Sequence, residues 1–351
     1  MGRFLNPGNG GFERIISEDT YVDKTGIIAY LNRWLNKSTR YVCVSRARRF
    51  GKTVAARTIR AYYDNSCDSH DLFAPYEIAR DPSYEEHINK YDVIGLDVQS
   101  FFLLDDDPQA FIKRLETAVL EEVCNKWSDI DGLKDMRLVN ALIKVHETTG
   151  AKFVFVIDEW DAVFRYYPKD DALQKKWIHF LRDMFKQAAM NPCVALVYMT
   201  GILPIKKYKT QSSLNQFFEY TMLRPLELEK YVGFLPAEVD ALCEKFDMDR
   251  AEAAQWYDGY MLPHEHHVYN PCSVARAMKS RTYGSYWTQT DTFESLLDYI
   301  NNDLDGVYQD VMSMIGGKRI VIDTNSYDNS FTTPQCKDDC FTLLAHIGYL
   351  A

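Results

Sequence analysis

No two of the eight cysteines stand in C-x-x-C spacing. They are scattered at positions 43, 67, 124, 193, 243, 272, 336 and 340, several inside apolar runs or predicted helices. That scatter excludes a disulfide framework and reads as reduced core thiols of a cytoplasmic protein. The opening MGRFLNPGNGGFERI has no apolar h-region, so no secretory signal is expected. No stretch approaches the roughly 20 apolar residues of a membrane-spanning helix, and no membrane partner is expected. Internal repeats and low-complexity tracts are missing too. There is no excess of positive charge: the net charge is −10. Phosphate attraction needs clustered cations, so a generic nucleic-acid binder is disfavoured. Arg46, Arg48 and Arg49 form a local exception. What is present is an ordinary globular composition, 46% hydrophobic and 26% charged. At roughly 100–200 residues per domain, 351 residues suggest two domains, or one with an appendage. That is enough chain to bury a core without staples.

Strand and helix patterns alternate through the first two thirds. Apolar residues recur at helical spacing over 26–35, and a β-rich run covers 41–44. A loop and a helix over 52–63 follow, with Val54, Ala55, Ile59 and Tyr62 as its apolar set. Further strands are predicted at 93–98, 153–157 and 194–199, and helices at 108–126, 133–148 and 171–190. The run Phe153-Val154-Phe155-Val156-Ile157 is apolar throughout, as expected of a strand covered on both faces of a parallel sheet. The alternation predicts an α/β fold with a mostly parallel sheet flanked by helices. After Pro225 it fades, and 228–246, 250–259 and 292–314 read as helical. A boundary near Leu226 divides the chain into 1–225 and 226–351, the second part mainly helical and open to a winged-helix-like unit. The apolar run 341–351 reads as a cut inside a structural unit.

Two short motifs carry chemistry. Ser45-Arg46-Ala47-Arg48-Arg49-Phe50-Gly51-Lys52-Thr53 lies between a strand and a helix. There, backbone N–H groups and the positive helix end can face phosphates. Lys52 would reach the β- and γ-phosphates, and the Thr53 hydroxyl would ligate Mg2+. The GxxxxGK[ST] pattern requires glycine at 46, where Arg46 stands, so a basic surface turn is the plainer alternative. The second motif is Asp158-Glu159, at the predicted carboxyl end of the apolar strand. Asp158 would hold Mg2+ opposite Thr53, and Glu159 would act as general base on water. Its plainer alternative is a helix start capped by carboxylates. About a hundred residues apart and each on its own strand end, the two motifs together predict a P-loop NTPase. A strand candidate lies between them in sequence, the pattern of additional-strand ATPases and not of Ras-like GTPases. Thr200, ending the next strand, would contact the γ-phosphate or the lytic water, or else simply terminate the strand. Arg48 and Arg49 would neutralise the γ-phosphate in cis or act on a neighbouring subunit, or else form a solvated pair at the loop tip. The N/T-K-x-D motif of GTP specificity is missing, which favours ATP. The expected catalytic residues are thus Glu159, Lys52, Thr200 and Arg49, with Thr53 and Asp158 for the metal. Arg48, Phe50, Gly51, Lys52, Thr53 and Val54 form the nucleotide-binding set.

Several stretches resemble the bacterial AAA-ATPase-like proteins. They are Phe12-Glu13 with Tyr21-Val22-Asp23-Lys24-Thr25; Arg46 through Thr53; Val156-Ile157-Asp158-Glu159; Thr200-Gly201-Ile202-Leu203-Pro204-Ile205; Trp256-Tyr257-Asp258-Gly259-Tyr260; and Tyr269-Asn270-Pro271 with Ser273-Val274. The resemblance spans nearly the whole chain. It implies an AAA-like ATPase that hydrolyses ATP with Mg2+, and it makes the arginine-rich loop a family trait, since members read R-P-R-R-F-G-K-[ST] there. Ala47 replaces the usual proline, which should loosen the loop slightly. Members often carry a C-terminal PD-(D/E)XK nuclease-like domain, whose residues have no counterpart here. The resemblance therefore admits a homo-oligomer, and a nuclease-like domain or DNA, as partners, and a role in DNA-related or defence processes. The competing reading is a nucleotide-binding switch or scaffold with negligible hydrolysis.

The other motifs have blander readings. Asp23-Lys24-Thr25 would either line the nucleotide base or fix the N-terminal segment, the second being favoured. Tyr257-Asp258-Gly259-Tyr260 reads as a turn between helices with Gly259 as C-cap. His264-Glu265-His266-His267 has no distant ligand motif to complete a metal site. Asp105-Asp106-Asp107 reads as a solvated acidic turn.

Overall fold

Phe153–Asp158 is a strand buried along its whole length in the computed structural model. The structure describes residues 2–102, 107–205, 207–208, 211–212, 214–262, 267–286, 304–324, 327, 334 and 336–350. Residues 1–44, 51–201 and 211–220 form one compact unit; residues 45–50, 202–210 and 221–351 form a second.

The first unit is built on five strands: β1 Tyr41–Ser45, β2 Asp92–Asp97, β3 Phe153–Asp158, β4 Val194–Gly201 and β5 Phe218–Tyr220. Their order in the sheet is β2-β3-β4-β1-β5. The pairs β2–β3, β3–β4 and β1–β5 are parallel. The helix Lys52–Tyr63 packs against β2, β3 and β4. With helices Phe111–Lys126, Leu138–Thr149 and Asp171–Lys186 it supplies the flanking layers of an α/β fold. Coverage on both faces is why β3 and β4 are buried throughout and not alternating. The strand expected between the two motifs, β2, lies at the sheet edge. The strand that separates β3 from β1 in space is β4. Register aligns Asp97, Asp158 and Thr200 across the carboxyl ends of β2, β3 and β4.

Phe12 is fully buried and stacks on Phe73 at 4.5 Å, with Tyr21 and Tyr76 edge-on. Beside that cluster the Asp23 carboxylate accepts from the amides of Thr25 and Glu77 at 2.8 and 2.7 Å. Asp23-Lys24-Thr25 thus fixes backbone.

The second unit is mainly helical: Pro236–Phe246, Arg250–Tyr257, Pro271–Ser280, Val307–Ile315 and Lys337–Ile347. Val307, Cys340, Phe341 and Leu344 form one of its apolar clusters. Two expectations are corrected here. The segment 228–246 is not one helix: the 3-10 turn Leu226–Tyr231 ends at extended Val232 and left-handed Gly233, Phe234 bridges Tyr269, and the α-helix begins at Pro236. Gly259 is not a C-cap but part of strand β6, Asp258–Met261, which pairs antiparallel with β7, His267–Tyr269. Of the predicted helix 292–314, residues 292–303 lie outside the described residues, as do Asp105, Asp106, His264, Glu265 and His266. His267 bonds Asp258 at 2.9 Å. Among the described residues no helix is long and apolar enough to cross a membrane.

Candidate functional site

The chain leaves β1 at Ser45 and turns through the loop by two left-handed residues, Arg49 at φ 66° and Gly51 at φ 81°. Glycine takes that conformation freely, whereas for arginine it costs about 1–2 kcal/mol. Arg46, which occupies the position of the expected first glycine, is not left-handed. It is fully buried, with its guanidinium donating to the Ser45 carbonyl at 3.0 Å and His346 close by. Ala47 stands where the family has proline. It is fully buried, and a Cβ placed on Gly348 would come within 2.5 Å of it. Phe50 is buried edge-on to Tyr260 at 5.0 Å. Arg49 donates to the Tyr286 carbonyl at 3.2 Å, and the Arg48 carbonyl accepts from the Asn270 side chain at 3.4 Å. All these contacts lie within the second unit.

From Gly51 onward the loop belongs to the first unit. Gly51 is the N-cap of the helix Lys52–Tyr63, so Lys52, Thr53 and Val54 occupy its first turn at the positive dipole end. Val54 is largely exposed. The Thr53 hydroxyl hydrogen-bonds the Asp158 carboxylate, which brings the two sequence motifs together. Asp158 is buried at the end of β3. Burial pushes its pKa up, against the Thr53 hydrogen bond and the charge of Arg60. Arg60 comes from the same helix as Thr53 and donates to the carbonyls of Leu96 and Val156 at 2.9 and 3.4 Å. Gly95 makes room for it: a Cβ there would lie 2.8 Å from the Arg60 Nε.

Glu159 is left-handed at φ 53°, a strained conformation for a residue with a Cβ. Its amide donates to Asp158 Oδ1 at 3.1 Å and its carbonyl accepts from the Ala162 amide at 2.9 Å. The Trp160 amide donates to the Thr200 carbonyl at 3.1 Å. The Glu159 carboxylate is ion-paired with Arg165, whose Nε lies 3.3 Å from Asp161 Oδ2. Asp161 is fully buried. Burial lowers the pKa of Lys52, while Glu159, Asp161 and Asp158 pull it back up. Burial raises that of Glu159 against Lys52 and Arg165. For Arg165 burial opposes the charge, yet Asp161 and Glu159 outweigh it and the pKa is raised. The result is a set of three cations, Lys52, Arg60 and Arg165, and three carboxylates, Asp158, Glu159 and Asp161, at the sheet's carboxyl edge.

Thr200 shares the register line with Asp158, but its hydroxyl donates to the Val44 carbonyl at 3.0 Å and is fully buried. In this structure it ties β4 to β1. Sequence reasoning passed over Arg60, Asp161 and Arg165. Only the i,i+4 spacing of Asp161 and Arg165 on the turn after Glu159 offered a signal.

A family model described as "Predicted AAA-ATPase" matches residues 8–210, more than half of the chain. The chain belongs to the AAA-ATPase-like family. Membership implies nucleotide binding and places the loop and the acidic strand end in a P-loop, AAA-like fold. This AAA-ATPase-like chain is 23% identical over 287 residues to an uncharacterized protein in the vnfD 5' region of Azotobacter chroococcum mcd 1. The match covers 80% of the chain and 52% of that relative, so the chain spans about half the relative's length. It also aligns with a structure of C. elegans PCH-2 at 11% identity and a TM-score of 0.31, covering 92% of this chain and 67% of that one. That score is too low to support a structural inference.

Proposed function

We propose that the chain is a Mg2+-dependent ATPase that transfers the γ-phosphoryl group of ATP to water. The observation that carries this reading is the Thr53–Asp158 hydrogen bond, which unites the phosphate loop with the acidic strand end. Lys52 and the amides at the start of the helix hold the phosphates, and Glu159 orients water as general base. Thr53 and Asp158 are hard oxygen donors already in contact. They would hold Mg2+, whose charge would offset that of the phosphates. Val54, exposed in the first helical turn, is the non-phosphate contact, while Phe50 is buried against Tyr260 and supports the loop. Arg48 adds positive charge to the loop, and Arg49 joins it by leaving the Tyr286 carbonyl. Thr200 contributes through its backbone tie to the Glu159 turn; a sensing role for its hydroxyl requires exchange from the Val44 carbonyl. Residues 1–225 act as the ATPase domain of a cytoplasmic protein and 226–351 as its helical partner region. Regulation of a nuclease-like or DNA partner, and assembly into a homo-oligomer, extend this reading by family likeness.

The buried Arg46 favours a second reading, a switch that binds nucleotide without turnover. Steady-state phosphate release with Mg-ATP, set beside Lys52→Ala, separates the two when nucleotide binding is measured on both proteins by calorimetry. Turnover that is lost with Lys52 supports the ATPase. Binding without turnover supports the switch, and no binding by the unaltered chain refutes both.

A further inference from the structure

Glu159 is held by more than its place in a motif. Its main chain is in a left-handed conformation, and its amide, its carbonyl and the next residue's amide are all engaged. Its carboxylate lies in the field of both Lys52 and Arg165, and Arg165 is the group that bonds it. Arg165 Nη2 bonds Glu159 Oε2, while among the described residues no hydrogen bond reaches Oε1. The same guanidinium grips Asp161 through Nε at 3.3 Å. Asp161 is packed so tightly under β4 that Gly201 cannot accept a Cβ, which would lie 2.6 Å from Asp161 Oδ1. The anchor of the arginine is therefore a fully buried carboxylate, fixed by the sheet, and not a solvated one. The side chains of Arg165 and Glu159 are only 14% and 19% exposed, so their pairing is shielded from solvent screening.

From this geometry we propose that Arg165 is a positioning residue for hydrolysis. Braced on Asp161, its guanidinium fixes Oε2 of Glu159 and turns Oε1 toward the attacking water. The proposal rests on Glu159 acting as the base of the ATPase reading. Arg165 touches neither nucleotide nor water; it acts through Glu159. A guanidinium can span two carboxylates at fixed angles, whereas an ammonium supplies the charge without the fork.

The test is Arg165→Lys in the full chain, chosen because Arg165→Ala leaves two buried carboxylates uncompensated and risks the fold. For Arg165→Lys, kcat for phosphate release falls by on the order of 10- to 100-fold, the scale of a misplaced catalytic group. KM and the calorimetric Kd for Mg-ATP stay unchanged. In Glu159→Gln the further change Arg165→Lys has no effect on kcat, since both act through one carboxylate. The proposal is overturned by an unchanged kcat in Arg165→Lys. It is equally overturned by losses that multiply in the double variant, or by a fall in affinity that matches the fall in kcat. An unaltered chain that binds Mg-ATP without turnover removes the ATPase reading itself, and that outcome is read from the wild-type arm alone.

Discussion

Two single-methyl additions, chemically identical, are expected to have opposite outcomes. In Gly201→Ala the new Cβ would stand 2.6 Å from Asp161 Oδ1, 2.7 Å from Trp160 Cδ1 and 2.8 Å from Trp160 Nε1. Neither neighbour can swing aside. Trp160 is fully buried with its carbonyl accepting from Trp177 Nε1 at 2.9 Å, and Asp161 is fully buried in the grip of Arg165. Ordinary contact begins near 3.5 Å, so the neighbours must move by roughly 1 Å, and overpacking of this kind costs about 1–3 kcal/mol. For a unit of this size each kcal/mol is worth about 2–4 °C in Tm, so the melting point falls by roughly 2–12 °C. In Gly259→Ala the Cβ meets nothing within 4 Å, the residue is exposed, and the change stays within about 0.5 kcal/mol. Thermal unfolding followed by circular dichroism measures both. Phosphate release adds a second readout, since displacing Asp161 also displaces Arg165 and lowers kcat in Gly201→Ala alone. If Gly201→Ala melts with the unaltered chain, the packing of the acidic turn beneath β4 has been misread.

Burial, with Arg46 adding repulsion, pushes the His346 pKa down to about 4 from its ordinary 6.5. The unfolded chain therefore binds the proton first, and the contribution of neutral His346 is complete above pH 6.5 and lost as pH falls toward 4, by about 3 kcal/mol in all. Urea midpoints between pH 4 and 7 should show that slope, and His346→Leu should flatten it. Gly51→Ala meets no atom within 4 Å but must hold φ at 81°, so it is expected to cost about 1–2 kcal/mol in chemical unfolding and to weaken Mg-ATP binding in calorimetry. Arg46→Gly makes residues 46–53 read G-x-x-x-x-G-K-T, yet it empties a fully buried site, so it is expected to destabilise by about 3 kcal/mol with no gain in Mg-ATP affinity. A tighter Kd for that variant would show that the motif rule outweighs the packing.

Much of this architecture was legible because the first unit obeys local rules. The apolar run 153–157 could be read as a doubly covered strand, since no other arrangement buries every residue of it. Gly51-Lys52-Thr53 and Asp158-Glu159 each announced a strand end, and the Thr53–Asp158 bond joins them. The order of strands was not legible, because β4 enters between β3 and β1 through pairings of residues far apart in sequence. Gly259 was misread because a glycine after a helical pattern fits a C-cap and a hairpin strand equally well, and the pairing with His267–Tyr269 decides between them. The break before Pro236 carried a readable signal that the helical periodicity masked. Arg165 was missed because its pairing with Glu159 depends on the turn between them, and the i,i+4 spacing to Asp161 is the one signal the chain carries.

The missing glycine at position 46 now has a physical account. A phosphate loop must reverse direction before its helix, and in a glycine-led loop the first glycine supplies the positive φ. Here the two left-handed residues are Arg49 and Gly51, so the turn is made later and residue 46 is released from that duty. Once released, it can carry a large side chain, and the sequence uses Arg46, Ala47 and Phe50 to fill buried positions beside His346, Gly348 and Tyr260. The loop therefore has two halves under different constraints. Residues 45–50 are conserved in shape by packing within the second unit, and Gly51, Lys52 and Thr53 by helix geometry and by the bond to Asp158 in the first. A substitution of buried Arg46 or Ala47 is read out as stability, and one of Lys52 or Thr53 as nucleotide affinity. That division follows from where each side chain is buried and not from its distance along the motif.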